Sequence, residues 1–208
     1  MSRTLKQLLE EVTSRKAPGP TPSFQVHHVM LATETMAQKP IGRNKLAKVL
    51  KIGDGTVRTI IGRLSYAGLI ETSKAGCVLT KKGLSLWRDY QSILRKVKIE
   101  RNEMTDAEYS SALLIKNQGH KLRSGMEQRD AAVKAGAKSA TTIAFRKGHL
   151  TIPSVSDNLD KDFPKAAHQI TVLLKPEEND IIIVSSADAP EKAEYGVLAA
   201  AWTILGGS

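Results

Sequence analysis

The chain has 208 residues, of which 41% are hydrophobic and 4% aromatic, so it is long enough for one large domain or two small ones with aliphatic cores. Cys77 is the only cysteine, which excludes an intrachain disulfide and a zinc site built from paired cysteines. The first residues carry charges instead of an apolar leader, and the longest apolar stretch, 195–205, is shorter than the roughly 20 residues that span a membrane. We therefore expect a cytoplasmic protein.

Positive charge is concentrated in the first half of the chain. Residues 1–104 contain 19 lysines and arginines against 8 aspartates and glutamates, whereas residues 105–208 contain 12 against 13. This difference predicts two domains, 1–104 and 105–208, with different tasks. The basic half is the one expected to meet a polyanion such as double-stranded DNA.

The first half reads as a series of short helices followed by a ribbon. Helices are predicted over 4–12 and 24–38, separated by a proline-rich break over 16–23. Two further helices and two strands follow, joined by glycine-containing turns; the helices cover 44–50 and 56–67, and the strands cover 69–72 and 77–80. Helix, tight turn, helix and two-stranded ribbon is the order of a winged helix-turn-helix, whose second helix enters the DNA major groove.

The helix over 56–67 has apolar residues at i, i+3, i+4 and i+7, which is the spacing of one buried face. The members of this stripe are Val57, Ile60, Ile61 and Leu64. The positions left facing outward are Thr56, Arg58, Thr59 and Arg63. We expect these side chains to contact DNA, with Arg58 able to form two hydrogen bonds to a guanine.

Residues around that helix extend the predicted DNA contacts. Gly55, at the start of the helix, would let the backbone approach a phosphate, which the helix N-terminus attracts. Arg43, Asn44 and Lys45 open the preceding helix and would meet the sugar-phosphate backbone. Lys74, at the tip of the ribbon, could reach the adjacent groove. The alternative is that all of these are ordinary solvated residues.

A longer helix is predicted over 84–99, because apolar residues recur there at helical spacing. Its apolar face could pair two copies of the protein, or it could complete the core of its own domain. The sequence leaves these two interpretations open.

The second half alternates strands and helices. Strands are predicted over 111–116, 140–145, 150–153 and 180–185, and helices over 126–135, 162–174 and 190–205. The order β-α-β-β-α-β-α is typical of a small α+β domain, such as a ferredoxin-like sheet with an extra helix.

One loop of this half is a candidate ligand site. His120, Lys121 and Arg123 gather positive charge just before the helix over 126–135, and Ser124 and Glu127 have the spacing of a capping box. This arrangement suits a small anionic effector, although it lacks the glycine spacing of known phosphate-binding loops. The alternative is a solvated loop and helix cap.

Because no catalytic or metal-binding motif occurs in the chain, we expect a protein that is not an enzyme and has no cofactor and no metal.

The segment GRNKLAKVLKIGDGTVRTIIGRLSYAGLI, from Gly42 to Ile70, resembles the winged-helix heads of prokaryotic transcriptional regulators. It is similar to the head of the central glycolytic genes regulator, which also begins with a G-R-x-x-L-A run. The whole chain resembles a group of uncharacterised archaeal proteins that join such a head to a small C-terminal domain of unknown function.

The resemblance of the head implies a winged-helix fold, and that of the C-terminal domain implies no known chemistry. From the residues and the resemblance together we expect a DNA-binding transcriptional regulator that forms a homodimer, with a C-terminal domain that dimerises the protein, senses a small ligand, or does both. Two alternatives stay open. One is an enzyme domain fused to a winged helix, and the other is a winged helix used as a protein-interaction or RNA-associated module.

Overall fold

The structure, a computed structural model, describes residues 5–14 and 23–206. The chain divides into two compact units, Met1–Gln91 and Ser92–Ser208. The division lies earlier than the boundary predicted between residues 104 and 105. Most of the predicted proline-rich break, residues 16–22, lies outside the described residues.

The N-terminal unit has the predicted order of helices followed by a hairpin. Its elements are α1 (Leu5–Thr13), α2 (Val26–Gln38), α3 (Arg43–Leu50), α4 (Asp54–Tyr66), β1 (Ile70–Ser73), β2 (Gly76–Leu79) and α5 (Lys81–Ile93). Three members of the predicted stripe of α4 are buried, namely Val57, Ile60 and Leu64, while Ile61 is half-buried. The 3.6-residue period therefore identified the inward side of α4 correctly.

The turn between α3 and α4 differs in detail from the prediction. The residue with left-handed backbone is Lys51, with φ 47°, whereas Gly53 has φ −62° and is the N-cap of α4. Helix α4 therefore begins at Asp54, two residues earlier than predicted, and Gly55 is its second residue.

The hairpin β1–β2 is antiparallel and is extended by one residue from the segment before α3. Ile41 and Cys77 exchange both backbone hydrogen bonds, at 3.1 Å and 2.9 Å. Gly76 makes this approach feasible, because its φ is +124° and a Cβ there would lie 2.6 Å from the carbonyl carbon of Ile41. The bridge fixes the turn end of the hairpin against the start of α3.

The predicted helix over 84–99 is wrong in its second half. Helix α5 ends at Ile93, and β3 (Leu94–Ile99) is an edge strand that pairs antiparallel with β4 (Tyr109–Ile115). Val97 and Ile99 alternate with lysines, and both pack into the core of the C-terminal unit. Residues 94–99 therefore belong to the C-terminal unit.

The C-terminal unit is a five-stranded sheet covered by helices on both faces. The elements after β4 are a short 3₁₀ turn (Gly119–Lys121), α6 (Met126–Lys134), β5 (Ser139–Arg146), β6 (His149–Thr151), α7 (Leu159–Asp162), α8 (Pro164–Leu174), β7 (Ile181–Ala187) and α9 (Pro190–Gly206). Helices α7 and α8 supply the core on one face, and α6 and α9 pack on the other. All seven residues of β7 are buried, as expected for a central strand covered on both sides.

The α+β class is confirmed, but the sheet is not ferredoxin-like. Its strand order is β3-β4-β7-β5-β6, with every neighbouring pair antiparallel. A ferredoxin-like sheet inserts its third strand between the first two. Here the fourth predicted strand, β7, lies between the first two, β4 and β5. Within the described parts of the chain, no helix is long and apolar enough to cross a lipid bilayer.

Candidate nucleic-acid interface

The outward side of α4 carries a flat, polar strip. Gly55, Arg58, Thr59 and Gly62 are all exposed and recur at i, i+3, i+4 and i+7, so they form one line along the helix, which we call the outer face of α4. An added Cβ at Gly55 or Gly62 would meet no atom within 4 Å. The two glycines therefore leave the backbone open on either side of Arg58 and Thr59.

Asp54 connects this face to the start of α3. Its carboxylate lies 2.8 Å from Nε of Arg43 and 3.8 Å from Nη2 of Arg58, and all three side chains are about half exposed or more. As the first residue of α4, Asp54 also has a favourable interaction with the helix dipole. The carboxylate holds two arginines from two helices on one surface, although exposed ion pairs of this kind add little to stability.

The start of α3 and the tip of the hairpin lie side by side. An open depression of about 450 Å³ is lined by Pro40, Gly42, Arg43, Asn44, Lys45 and Ala75. Arg43, Asn44 and Lys45 are exposed, as is Lys74 at the hairpin turn next to Ala75. Residues predicted to contact DNA from α3, α4 and the hairpin are thus brought together on one side of the N-terminal unit.

The two predicted threonines differ in their surroundings. The Thr59 hydroxyl is exposed and donates to the Gly55 carbonyl at 3.1 Å, a bond that an external acceptor can replace. The Thr56 hydroxyl lies 2.8 Å from that of Ser23, just before α2, and its side chain is half-buried. Thr56 therefore faces the segment that leads into α2.

Arg63 does not share the outer face of α4, contrary to the prediction. Its Nη1 donates to the carbonyl oxygens of Val12 at 2.8 Å and Ser14 at 2.7 Å, and its guanidinium lies 5.1 Å from the centre of the Phe24 ring. These bonds satisfy carbonyls at the C-terminal end of α1, where a cation is favourable. Arg63 holds α1 against α4.

The predicted ligand loop of the C-terminal unit is partly committed to its own fold. Lys121 Nζ donates to the Ile204 carbonyl at 3.2 Å, near the C-terminal end of α9. The capping box of Ser124 and Glu127 is wrong, because the N-cap of α6 is Gly125, with φ +78° and no side-chain cap. His120 and Arg123 are exposed.

The described residues contain no group of three or more His, Cys, Asp or Glu side chains that could hold a metal ion.

Sequence reasoning missed two residues of the candidate interface, Asp54 and Gly62. Asp54 could have been found from its i, i+4 spacing to Arg58, which is typical of a helical ion pair. Gly62 could have been found as a glycine in the middle of a helix, where it costs about 1 kcal/mol relative to alanine and so calls for a reason.

Comparisons with known proteins find similarity to two family models, one in each unit, and neither description states a function. Residues 28–85 match the model of the PH0730-like N-terminal domain, and residues 107–204 match a domain of unknown function (DUF4443). Among solved structures, the chain is similar to the hypothetical protein PH0730 from Pyrococcus horikoshii OT3. The two are 25% identical, with a TM-score of 0.71, and the match covers 88% of this chain and 93% of that one. No curated protein matches the chain.

Proposed function

We propose that the N-terminal unit is a winged helix-turn-helix that binds double-stranded DNA, and that the protein is a transcriptional regulator. Helix α4 enters the major groove with its outer face, and the hairpin β1–β2 is the wing. The order of elements and the resemblance of residues 42–70 to the heads of winged-helix regulators both support this proposal.

The observation that carries the proposal is a basic surface to which three elements contribute. Arg58 projects from the second turn of α4, Arg43 and Lys45 from the start of α3, and Lys74 from the hairpin turn. Base readout in the major groove needs a donor flanked by groups that hold the phosphates on either side. The outer face of α4 supplies the donor, and the other two elements supply the flanking cations.

Charge and shape of the unit support the same conclusion. Residues 1–91 contain 15 lysines and arginines against 6 aspartates and glutamates, a net charge of +9, whereas residues 92–208 contain 16 against 15. The polyanion partner is therefore expected at the N-terminal unit. Gly55 and Gly62 lower the profile of α4, so its backbone can approach the groove.

The C-terminal unit, in this proposal, brings two copies together. A dimer presents two α4 helices to half-sites about one DNA turn apart, and the bound site is then a palindrome. With Lys121 engaged by the end of α9, an anionic effector has less support than dimerisation.

The proposal is tested by changing Arg58 in the full-length protein. We expect Arg58→Ala to weaken binding to a selected DNA site by about 1–3 kcal/mol and to relax the preference at one base pair, because a bidentate contact to a base is lost. Fluorescence anisotropy measures the affinity, and selection from a random DNA library before and after the change measures the preference.

Arg88→Ala is the matched control, because it removes the same charge from an exposed position on α5, which contributes no residue to the basic surface. Lys74→Ala should instead weaken all DNA sequences about equally and lower the slope of log affinity against log salt by about 1. Equal effects of Arg58→Ala and Arg88→Ala would contradict the assignment. Absence of duplex binding by the unmodified protein would favour a protein-interaction or RNA-associated module instead.

A further inference from the structure

Helix α6 carries an exposed stripe that is not used inside the C-terminal unit. Met126 is 51% exposed and Val133 is 48% exposed, and Arg129 and Asp130 lie between them on the same face. The spacing is again i, i+3, i+4 and i+7, so the four side chains form one line. The opposite side of α6, with Gln128 and Ala132, is buried.

The stripe is complementary to itself when it is reversed. Its midpoint lies between Arg129 and Asp130, and each end is an apolar residue. If a second copy of α6 lies antiparallel across it, Arg129 faces the other Asp130, and Met126 faces the other Val133. Each contact then occurs twice about a twofold axis, which is the defining property of an isologous dimer interface.

We propose that α6 is the centre of a homodimer interface, packed antiparallel against α6 of a second copy of this chain. This interface would form the dimer that the proposed function assumes, and its biological role rests on that proposed function. The test of the interface itself uses no DNA. The occupant is a second copy because the reversed stripe sets an opposite charge against each of its own two charges and an apolar residue against each apolar end.

The charges that flank the stripe fit the same arrangement. Glu127 lies near the start of α6 and Lys134 at its end, and both are exposed. Antiparallel packing brings the acidic start of one helix beside the basic end of the other, and it also opposes the two helix dipoles favourably. In the isolated chain, Arg129 lies 3.1 Å from its own Asp130, and the two side chains are about half exposed, so both remain accessible to a partner.

A surface depression beside α6 enlarges the contact. It has a volume of about 450 Å³ and is lined by Arg129, Asp130, Val133, Lys134, Lys138, Ser139 and Ala140. The unbranched side chain of Met126 from the second copy can enter it, and its cations can receive the other Glu127. A stable interface buries about 800 Å² per partner. The nine residues of α6 extend only about 13 Å, so both the helix and the depression are needed.

The test exchanges the central charges in the full-length protein and measures association by analytical ultracentrifugation without DNA. Arg129→Asp leaves two acids at the centre of the stripe, and Asp130→Arg leaves two arginines. We expect each variant alone to weaken dimerisation at least tenfold through like-charge repulsion. Mixed together, they should form a heterodimer, because every acid then faces an arginine.

A pair of valines provides the matched control for the apolar contact. Val133→Asp should disrupt the dimer, whereas Val172→Asp, on the exposed side of α8 where Val172 is 54% exposed, should not. The proposal is overturned if the unmodified protein is monomeric at tens of micromolar, if the charge variants remain monomeric when mixed, or if both valine variants dimerise equally. Thermal melts check that each variant is folded. If Val133→Asp does not fold, the mixing experiment with the two charge variants still tests the proposal.

Discussion

His27 gives the stability of the N-terminal unit a defined dependence on pH. It lies on α2 and is only 3% exposed, with its ring 4.2 Å from that of His28. Burial, and to a lesser extent the neighbouring His28, lowers the pKa of His27 from 6.5 to about 3. The folded protein therefore keeps this ring neutral under conditions in which the unfolded chain protonates it.

The sign and the size of the effect follow from this difference. Between pH 3 and pH 6.5 the unfolded chain binds a proton that the folded unit does not, so the free energy of unfolding falls as the pH falls. The contribution of neutral His27 to the free energy of unfolding is fully present above pH 6.5. At pH 5 this free energy is lower by about 2 kcal/mol. The pKa of His28 is also lowered, chiefly by burial, so its effect has the same sign.

The assay is urea unfolding at pH 7.5 and pH 5, followed by Trp87 fluorescence in a Trp202→Phe background. Trp87 stacks on Tyr90 in α5 and reports on the N-terminal unit, whereas Trp202 lies in α9. Between pH 7.5 and pH 5 the free energy of unfolding should fall in both proteins. We expect the fall to be smaller in His27→Leu than in the parent by about 2 kcal/mol. An equal drop in both proteins would refute the reasoning, because the proton would then bind elsewhere.

Two further substitutions on α4 separate folding from binding. Gly62→Ala should raise the free energy of unfolding of the N-terminal unit by up to about 1 kcal/mol, because alanine has a higher helix propensity than glycine. The added methyl group on the outer face should at the same time weaken DNA binding. A higher affinity in the anisotropy assay would contradict this expectation. Arg63→Ala should lower the stability by about 1–3 kcal/mol in the same urea assay, because two charged hydrogen bonds to α1 are lost. An unchanged unfolding midpoint would show that those bonds contribute nothing.

The elements of the fold that could be predicted from the sequence are those set by local periodicity. The buried stripe of α4 repeats every 3.6 residues, and β7 contains three consecutive isoleucines followed by valine, a run typical of a strand covered on both faces. The hairpin was found because a glycine-containing turn separates two apolar runs. None of these elements needed a distant partner to be recognised.

Strand β3 and the sheet order could not be found in this way. The apolar residues of β3 continue the spacing of α5, so Ile93, Leu94 and Val97 fit a helix as well as a strand. What decides between them is the pairing of Leu94 with Ile115 and of Val97 with Ala112, across more than a dozen residues of intervening chain. Insertion of β7 between β4 and β5 is likewise a non-local choice that no short window of sequence contains.

Two cations predicted to contact a partner are engaged by their own fold, and both have the same kind of acceptor. Arg63 donates to carbonyls at the end of α1, and Lys121 to a carbonyl near the end of α9; Lys82, in the same way, donates to Ala67 after α4 at 2.6 Å. Every helix leaves about four carbonyls without partners at its C-terminal end, and a long cationic side chain satisfies them well.

A cationic side chain that can reach the carbonyls at the end of a helix is therefore a weaker candidate for contacting an external ligand than one in the middle of an exposed face. Arg58 is of the second kind, because its only ion-pair partner among the described residues is the exposed Asp54, one turn earlier on the same helix. Arg58→Ala should therefore change DNA binding with little change in stability, whereas Arg63→Ala should change stability first. If both substitutions weaken DNA binding with no change in the unfolding midpoint, the distinction between the two arginines fails.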